Sequence, residues 1–391
     1  MTSISLPRLI LLFGMISVLL LTGCHSDEAS LSPPPVSHDV IALTYENPLA
    51  IEVHSSRHWA LLLHDRTASS GPAIQLVDID GRSVLHTKIL DYYDVFDIKF
   101  LSNNEACFAG RPQGNIGYAV QFIRLPELTL GTRVMTSDTA GTHGYLAVDS
   151  AGGAVYYSHA GGNGADGVYK ISLSSKSLVD ADNDNQAPFA FNNDLVDGLF
   201  NHPARIFFDA DSRKLVAGNL GADYISMINA DLWGTLSRAV EHTFPMDGTF
   251  QIGTTSGGLT NVRTEAMGSG AGVYVFAGST SNLAYLARFG TASIGLDFTE
   301  AMPGRQWRYR NADLRVHPRE DIFSVFVIQQ DSSRIGIGQY RLNNLQQVAG
   351  SPYRPHVIPD SDVCAIGMDI ILDKLIVGDS DHPRLELISL P

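Results

Sequence analysis

The chain has 391 residues, 44% of them apolar and 17% charged, with a formal net charge of −14. That acidic balance argues against nucleic acid as a partner, because the phosphate backbone demands clustered Lys and Arg. At ~150 residues per domain the length alone suggests two or three domains, and 36 Gly with 18 Pro suit many turns between short strands.

Leu9–Leu21 comes first in chain order: thirteen residues, apolar except at Gly14 and Ser17, preceded by Arg8. A helix of that length rises only about 20 Å, short of the roughly 30 Å of hydrocarbon in a bilayer. Residues 1–23 are therefore expected to be a secretory signal rather than a membrane span.

The run ends in Leu21-Thr22-Gly23-Cys24, which resembles the bacterial lipoprotein box. The resemblance implies that Cys24 becomes the first mature residue and carries several acyl chains, more than the two signals that stable anchoring needs. His25 rather than Asp follows the Cys, which by the same analogy directs the protein to the outer membrane of the cell envelope. Residues 24–38, with Ser32-Pro33-Pro34-Pro35 and no apolar periodicity, read as an extended tether between lipid and folded body.

From residue 39 to 391 the chain repeats. Pro203–Asn229 reads as three strands, Ala204–Phe208, Lys214–Gly218 and Tyr224–Ile228, joined by an Asp-rich turn and a Gly-containing loop. In each repeat the middle strand ends where small or apolar residues give way to a polar one. These ends are Asp65, Arg111, His159, Asn219, Ser279, Gln329 and Asp379, spaced 46, 48, 60, 60, 50 and 50 residues apart.

More polar fourth segments follow most units: Ser83–Leu90, Thr129–Met135, Ser237–Phe244, Ala292–Phe298 and Gln346–Gly350. Four strands per unit with a polar outermost one predict an all-β fold, a seven-bladed β-propeller of four-stranded antiparallel blades. The seventh unit runs out of chain after three strands, while Asp39–Tyr45 ahead of the first has no partner of its own. That segment is expected to close the ring as the outermost strand of the last blade, removing an exposed edge. The long intervals hold two insertions, Val179–Asn201 and Asp231–Asn261.

Units 204–228 and 316–342 are similar to blades of bacterial seven-bladed propellers related to cytosolic lactonases and to surface or periplasmic YVTN-repeat proteins. A Tyr-Val-Thr-Asn tetrad and the Trp-Asp dipeptide are both missing, so the resemblance informs fold more than function.

In a propeller the polar strand ends share one face, and Asp65, Arg111, His159, Asn219, Gln329 and Asp379 are expected to form a ligand-binding ring there, with Arg308 of the basic aromatic patch Arg305–Arg310 beside it. His64 and Asp65 with Asp379, Asp381 and His382 raise the narrower possibility of a transition metal, although no HxH or HxxxH spacing occurs among them. Asp180, Asp182 and Asp184 alternate as at the start of an EF-hand loop, yet Asn185 replaces the Gly and Phe191 the bidentate Glu. No resident metal or cofactor is expected. Gly-x-Ser-x-Gly occurs nowhere, so no catalytic residue is assigned. Cys107 and Cys364 fall two blades apart and are expected as buried thiols.

The sequence thus describes an envelope lipoprotein whose propeller is a binding or scaffold module for a protein, a glycan or a small polar ligand. The alternatives are a lactonase-like propeller hydrolase and a periplasmic metal-binding protein.

Overall fold

The computed structural model describes residues 38–67, 70–137, 141–161, 167–186, 189–192, 203–219, 224–234, 240–245, 263–270, 273–279, 283–290, 295–303, 305–306, 314–317, 324–331, 334–348 and 363–390. The expected signal, Cys24 and the tether up to residue 37 lie outside them, as do Arg308 and most of the Asp231–Asn261 insertion. The described residues form seven antiparallel sheets with no α-helix.

Sheets one and two follow the expected order: Pro48–His54, Trp59–His64, Ala73–Asp78 and Ser83–Ile89, then Tyr92–Ser102, Glu105–Pro112, Tyr118–Arg124 and Thr129–Ser137. Sheets four and five repeat it with Pro203–Asp209, Lys214–Asn219, Tyr224–Asn229 and Val240–Pro245, and with Arg263–Gly270, Val273–Ser279, Leu283–Gly290 and Gly295–Pro303.

Sheet three carries an excursion. Gly141–Asp149, Ala154–Gly161 and Gly167–Ser172 lead to Ser177–Val179, which pairs with one end of the third strand, and Phe191–Asn192 returns to pair with its other end. The first insertion therefore interrupts the outer strand and then completes it. Sheet six also departs from expectation. Arg305–Gln306 and Leu314–His317 both pair with Ser324–Asp331, which pairs in turn with Arg334–Arg341. Where Gln346–Gly350 was expected as a fourth strand, the described residues show one isolated bridge, Tyr340 to Gln347.

Sheet seven contains Val363–Asp369, Lys374–Asp379 and Arg384–Ser389, and its fourth member is His38–Ala42 from the other terminus. His38 faces Ile388 and Ala42 faces Arg384. This is the closure expected from the unpartnered N-terminal segment. First strands of successive sheets touch in sequence, and that of sheet seven touches that of sheet one, so the contacts run in a closed cycle.

Packing explains why the middle strands are so apolar. Along Trp59–His64, Leu61 and Leu63 pack with Ile98 and Phe108 of sheet two, while Ala60 and Leu62 pack with Cys364 and Ile376 of sheet seven. Alternate residues thus serve opposite neighbours, and a strand buried on both faces reads as a nearly continuous apolar run. The outer strand Ser83–Ile89, with only Val84 packed against the core, is exposed along most of its length.

Cys107 and Cys364 are both buried and free. Burial pushes both thiols up, so neither is a ready nucleophile. Alkylation of the denatured, unreduced protein is expected to modify both; a mass showing either one blocked would contradict this.

A latch recurs at the end of the sheets where first strands turn into second strands. Asp149 ends the first strand of sheet three and bonds Arg213 of sheet four, 2.8 Å from Nη1. Asp369 ends that of sheet seven and accepts from His58 Nδ1 of sheet one at 2.8 Å. Between sheets six and seven the polarity is reversed, His317 Nε2 lying 3.2 Å from Asp373. His58, Arg213 and Asp373 each precede a second strand and hold φ of 52°, 60° and 50°. This left-handed turn, uncommon for residues other than Gly, aims each side chain back at the preceding sheet.

Candidate functional site

The first strand of each sheet is the innermost, and charged residues interrupt its apolar pattern at Glu52, Lys99, Arg205 and Arg315. Together with Asp97 and Tyr145 they line a cavity of about 370 Å³. Six sheets contribute to its described lining, with Met368 from sheet seven.

The charges are organised across sheets. Lys99 Nζ lies 2.9 Å from Glu52 of sheet one and 3.7 Å from Asp97. The Asp97 carboxylate also accepts from the Ile98 and Leu146 amides, each at 2.9 Å, which ties sheet two to sheet three. Arg315 Nη2 donates to the Ile51 carbonyl at 2.8 Å, and the Arg205 guanidinium lies 5.0 Å from the Tyr145 ring centre. Burial works against the Lys99 charge, but Asp97 and Glu52 outweigh it and hold the pKa above its ordinary value. Lys99 therefore stays an ammonium. Among the described residues the lining carries three cations against two carboxylates, a local positive excess inside an acidic protein.

The polar strand ends do share one end of the sheets, opposite the latches. In the pairing His64 faces Pro48, Arg111 faces Asp94, His159 faces Gly144, Asn219 faces Pro203 and Asp379 faces Val363. They end second strands, one layer out, and none of the described side chains among them lines the cavity. Each described side chain is engaged locally instead.

Asp65 accepts from the Arg66 amide at 2.7 Å. Arg111 bonds Asp94 at 2.6 Å and stacks on Tyr93, whose ring also lies under Arg66. His159 is fully buried against Tyr118 and Tyr157. Asp379 accepts from the Asp381 and His382 amides and from Arg384 Nε at 2.9 Å. The side chains of Asn219 and Gln329, and all of Arg308, lie outside the described residues.

The metal reading of His64 and Asp379 finds no shared site. The buried His64 ring donates from Nδ1 to the Glu46 carbonyl at 3.0 Å, and burial lowers its pKa to about 4. Among the described residues the group of carboxylates that does converge is Asp180, Asp182 and Asp184, with oxygens within 4.8 Å of one another. Asp180 spends its oxygens on the turn itself, accepting from the Asn185 amide at 2.6 Å and the Asp182 amide at 3.3 Å.

Sequence reasoning missed the cavity residues, yet their signal was present: a charge set between apolar residues in a first strand, as in Ile51-Glu52-Val53, Ile98-Lys99-Phe100 and Leu314-Arg315-Val316. A buried charge at such a position needs partners or a ligand.

No family model matches the chain, and no curated protein does. Among solved structures, the crystal structure of Chaetomium thermophilum Raptor matches 90% of this chain with a TM-score of 0.62 and 11% sequence identity. The chain spans 29% of the length of that Raptor chain. At this identity the likeness is one of fold alone. The protein is built as a β-propeller, a fold that commonly serves as a protein-binding scaffold.

Proposed function

We propose that this chain is an envelope lipoprotein, tethered to the outer membrane through acylated Cys24 and residues 24–38, whose seven-bladed propeller binds a small anionic ligand in its central cavity. The carrying observation is the charged lining: Lys99, Arg205 and Arg315 converge from three sheets on a space of about 370 Å³. That volume lies in the range of small-molecule sites. A carboxylate or phosphate placed there gains charge-assisted hydrogen bonds from partly buried cations. Lys99, held as an ammonium by Asp97 and Glu52, suits binding rather than nucleophilic attack.

Calorimetric titration of the purified protein with citrate and inorganic phosphate, and with glucose as the neutral control, tests the reading. Citrate or phosphate is expected to bind and glucose not to. The double variant Arg205→Gln, Arg315→Gln is expected to weaken the anion about tenfold or more. Failure of both anions to bind, or equal binding by the variant, would remove the ligand site. The tether is checked separately: Cys24→Ser is expected to move the protein from the membrane to the soluble fraction.

A further inference from the structure

Two consecutive isoleucines, Ile370 and Ile371, stand 45% and 58% exposed at the turn between the first and second strands of sheet seven. Such turns favour Gly, Asn and Asp, so a solvent-facing β-branched pair needs a reason.

The turn is held firmly in this form. The buried Asp369 carboxylate accepts from the Ile371 and Leu372 amides at 3.0 and 3.1 Å, and the Ile370 amide donates to Ser55 Oγ of sheet one at 3.2 Å. Leu372 turns in to pack on the core between sheets seven and one, leaving the isoleucines outside. Arg57, exposed on the adjoining turn of sheet one, lies over the Trp59 ring at 4.7 Å. Among the described residues Arg57 has no carboxylate within ion-pair distance.

His38 lies at the same end of the same sheet. It faces Ile388, beside Ser389, which faces Lys374 at the close of the isoleucine turn. The chain upstream therefore joins the propeller at this end.

We infer that the latch end of sheets seven and one is a membrane-contact surface: Ile370 and Ile371 enter the interface of a phospholipid bilayer, and Arg57 and Trp59 meet the headgroup phosphates. The inference rests on the proposed lipid tether for its orientation. Fourteen residues, 24–37, separate the acylation site from His38, a reach of about 43 Å when extended, so the tether favours the end of the sheet at which it enters, the end that carries the isoleucines. Exposed apolar side chains flanked by a cation and a Trp suit the boundary between headgroups and acyl chains. The opposite end, which exposes Ile116 and Tyr93 as single apolar side chains among the polar strand ends, then points away from the membrane.

The test uses the acylated full chain in phosphatidylethanolamine–phosphatidylglycerol vesicles containing brominated lipid. An environment-sensitive fluorophore is placed on Ser56→Cys at the latch end or on Asn115→Cys at the opposite end, both exposed, while Cys107 and Cys364 are buried and escape labelling. The label at position 56 is expected to be quenched about threefold more than that at 115, and the double variant Ile370→Ser, Ile371→Ser to abolish the difference.

Equal quenching at both positions, a difference that survives the double variant, or a concentration-dependent dimer that the double variant dissolves would overturn the inference. Intact mass of the same sample reads the tether independently. Acyl chains present with no asymmetry reject the surface and keep the tether. Where acyl chains are absent the tether fails, and flotation of the same protein with the vesicles then decides: flotation lost in the double variant keeps the surface, and none in the wild type rejects it.

Discussion

Asp369→Ala is expected to lower the unfolding free energy by about 3–5 kcal/mol, measured by urea denaturation. The carboxylate is fully buried and accepts from His58 Nδ1 and from the Ile371 and Leu372 amides. Alanine leaves all three part-buried donors without this acceptor, and a buried donor without an acceptor costs about 1–3 kcal/mol. Asp369→Asn keeps an acceptor for the turn amides and a polar partner beside the His58 ring, so its cost should stay near 1 kcal/mol. Because the bond joins the last sheet to the first, His58→Ala should lose part of the same stability, and the double variant should lose less than the sum of the singles. Strict additivity would show that the latch between sheets seven and one carries no coupling.

Acidification should destabilise the protein through His64. Burial lowers the His64 pKa to about 4, from 6.5 for a free imidazole. Between these values the unfolded chain takes up a proton that the folded ring refuses, so the unfolded state gains. The stability is fully present above pH 6.5 and is lost as pH falls towards about 4, a swing on the order of 3 kcal/mol. His64→Asn can still donate to the Glu46 carbonyl but does not titrate, and should flatten the curve over that window. If wild type and variant lose stability in parallel between pH 7 and 4, another group carries the effect.

Most of the architecture was legible because a strand buried on both faces has little freedom in composition. The expected strand Lys214–Gly218 is observed as Lys214–Asn219, and Tyr224–Ile228 as Tyr224–Asn229. Ring closure was legible by subtraction, since one segment and one sheet were each left without a partner. The outer strands were harder. They pack on one side only, so polar, weakly patterned residues serve, and the broken fourth strand of sheet three gave no sign that Phe191–Asn192 resumes what Val179 leaves.

The functional reading was led outwards by a true regularity. Polar residues do recur at the second-strand ends, but a ring of sheets has layers, and those positions lie one layer from the cavity. The latches were hidden for a different reason. His58 and Asp369 are 311 residues apart, and nothing local in either turn names its partner.

His38–Ala42 completes the last sheet by pairing with Arg384–Ser389. The two partners are the first and last strands of the described chain, so the contact that shuts the ring is also the one of greatest sequence separation. Whatever makes or moves this chain from its amino end must deliver Ser389 before the circle can shut. Until then the three-stranded final sheet offers an open edge, and strands that wait in this state are vulnerable to pairing with other molecules. Ring closure is therefore the late step, slowed by loop closure over nearly the whole length of the chain. A cut that removes the last six residues should cost far more than six residues of structure.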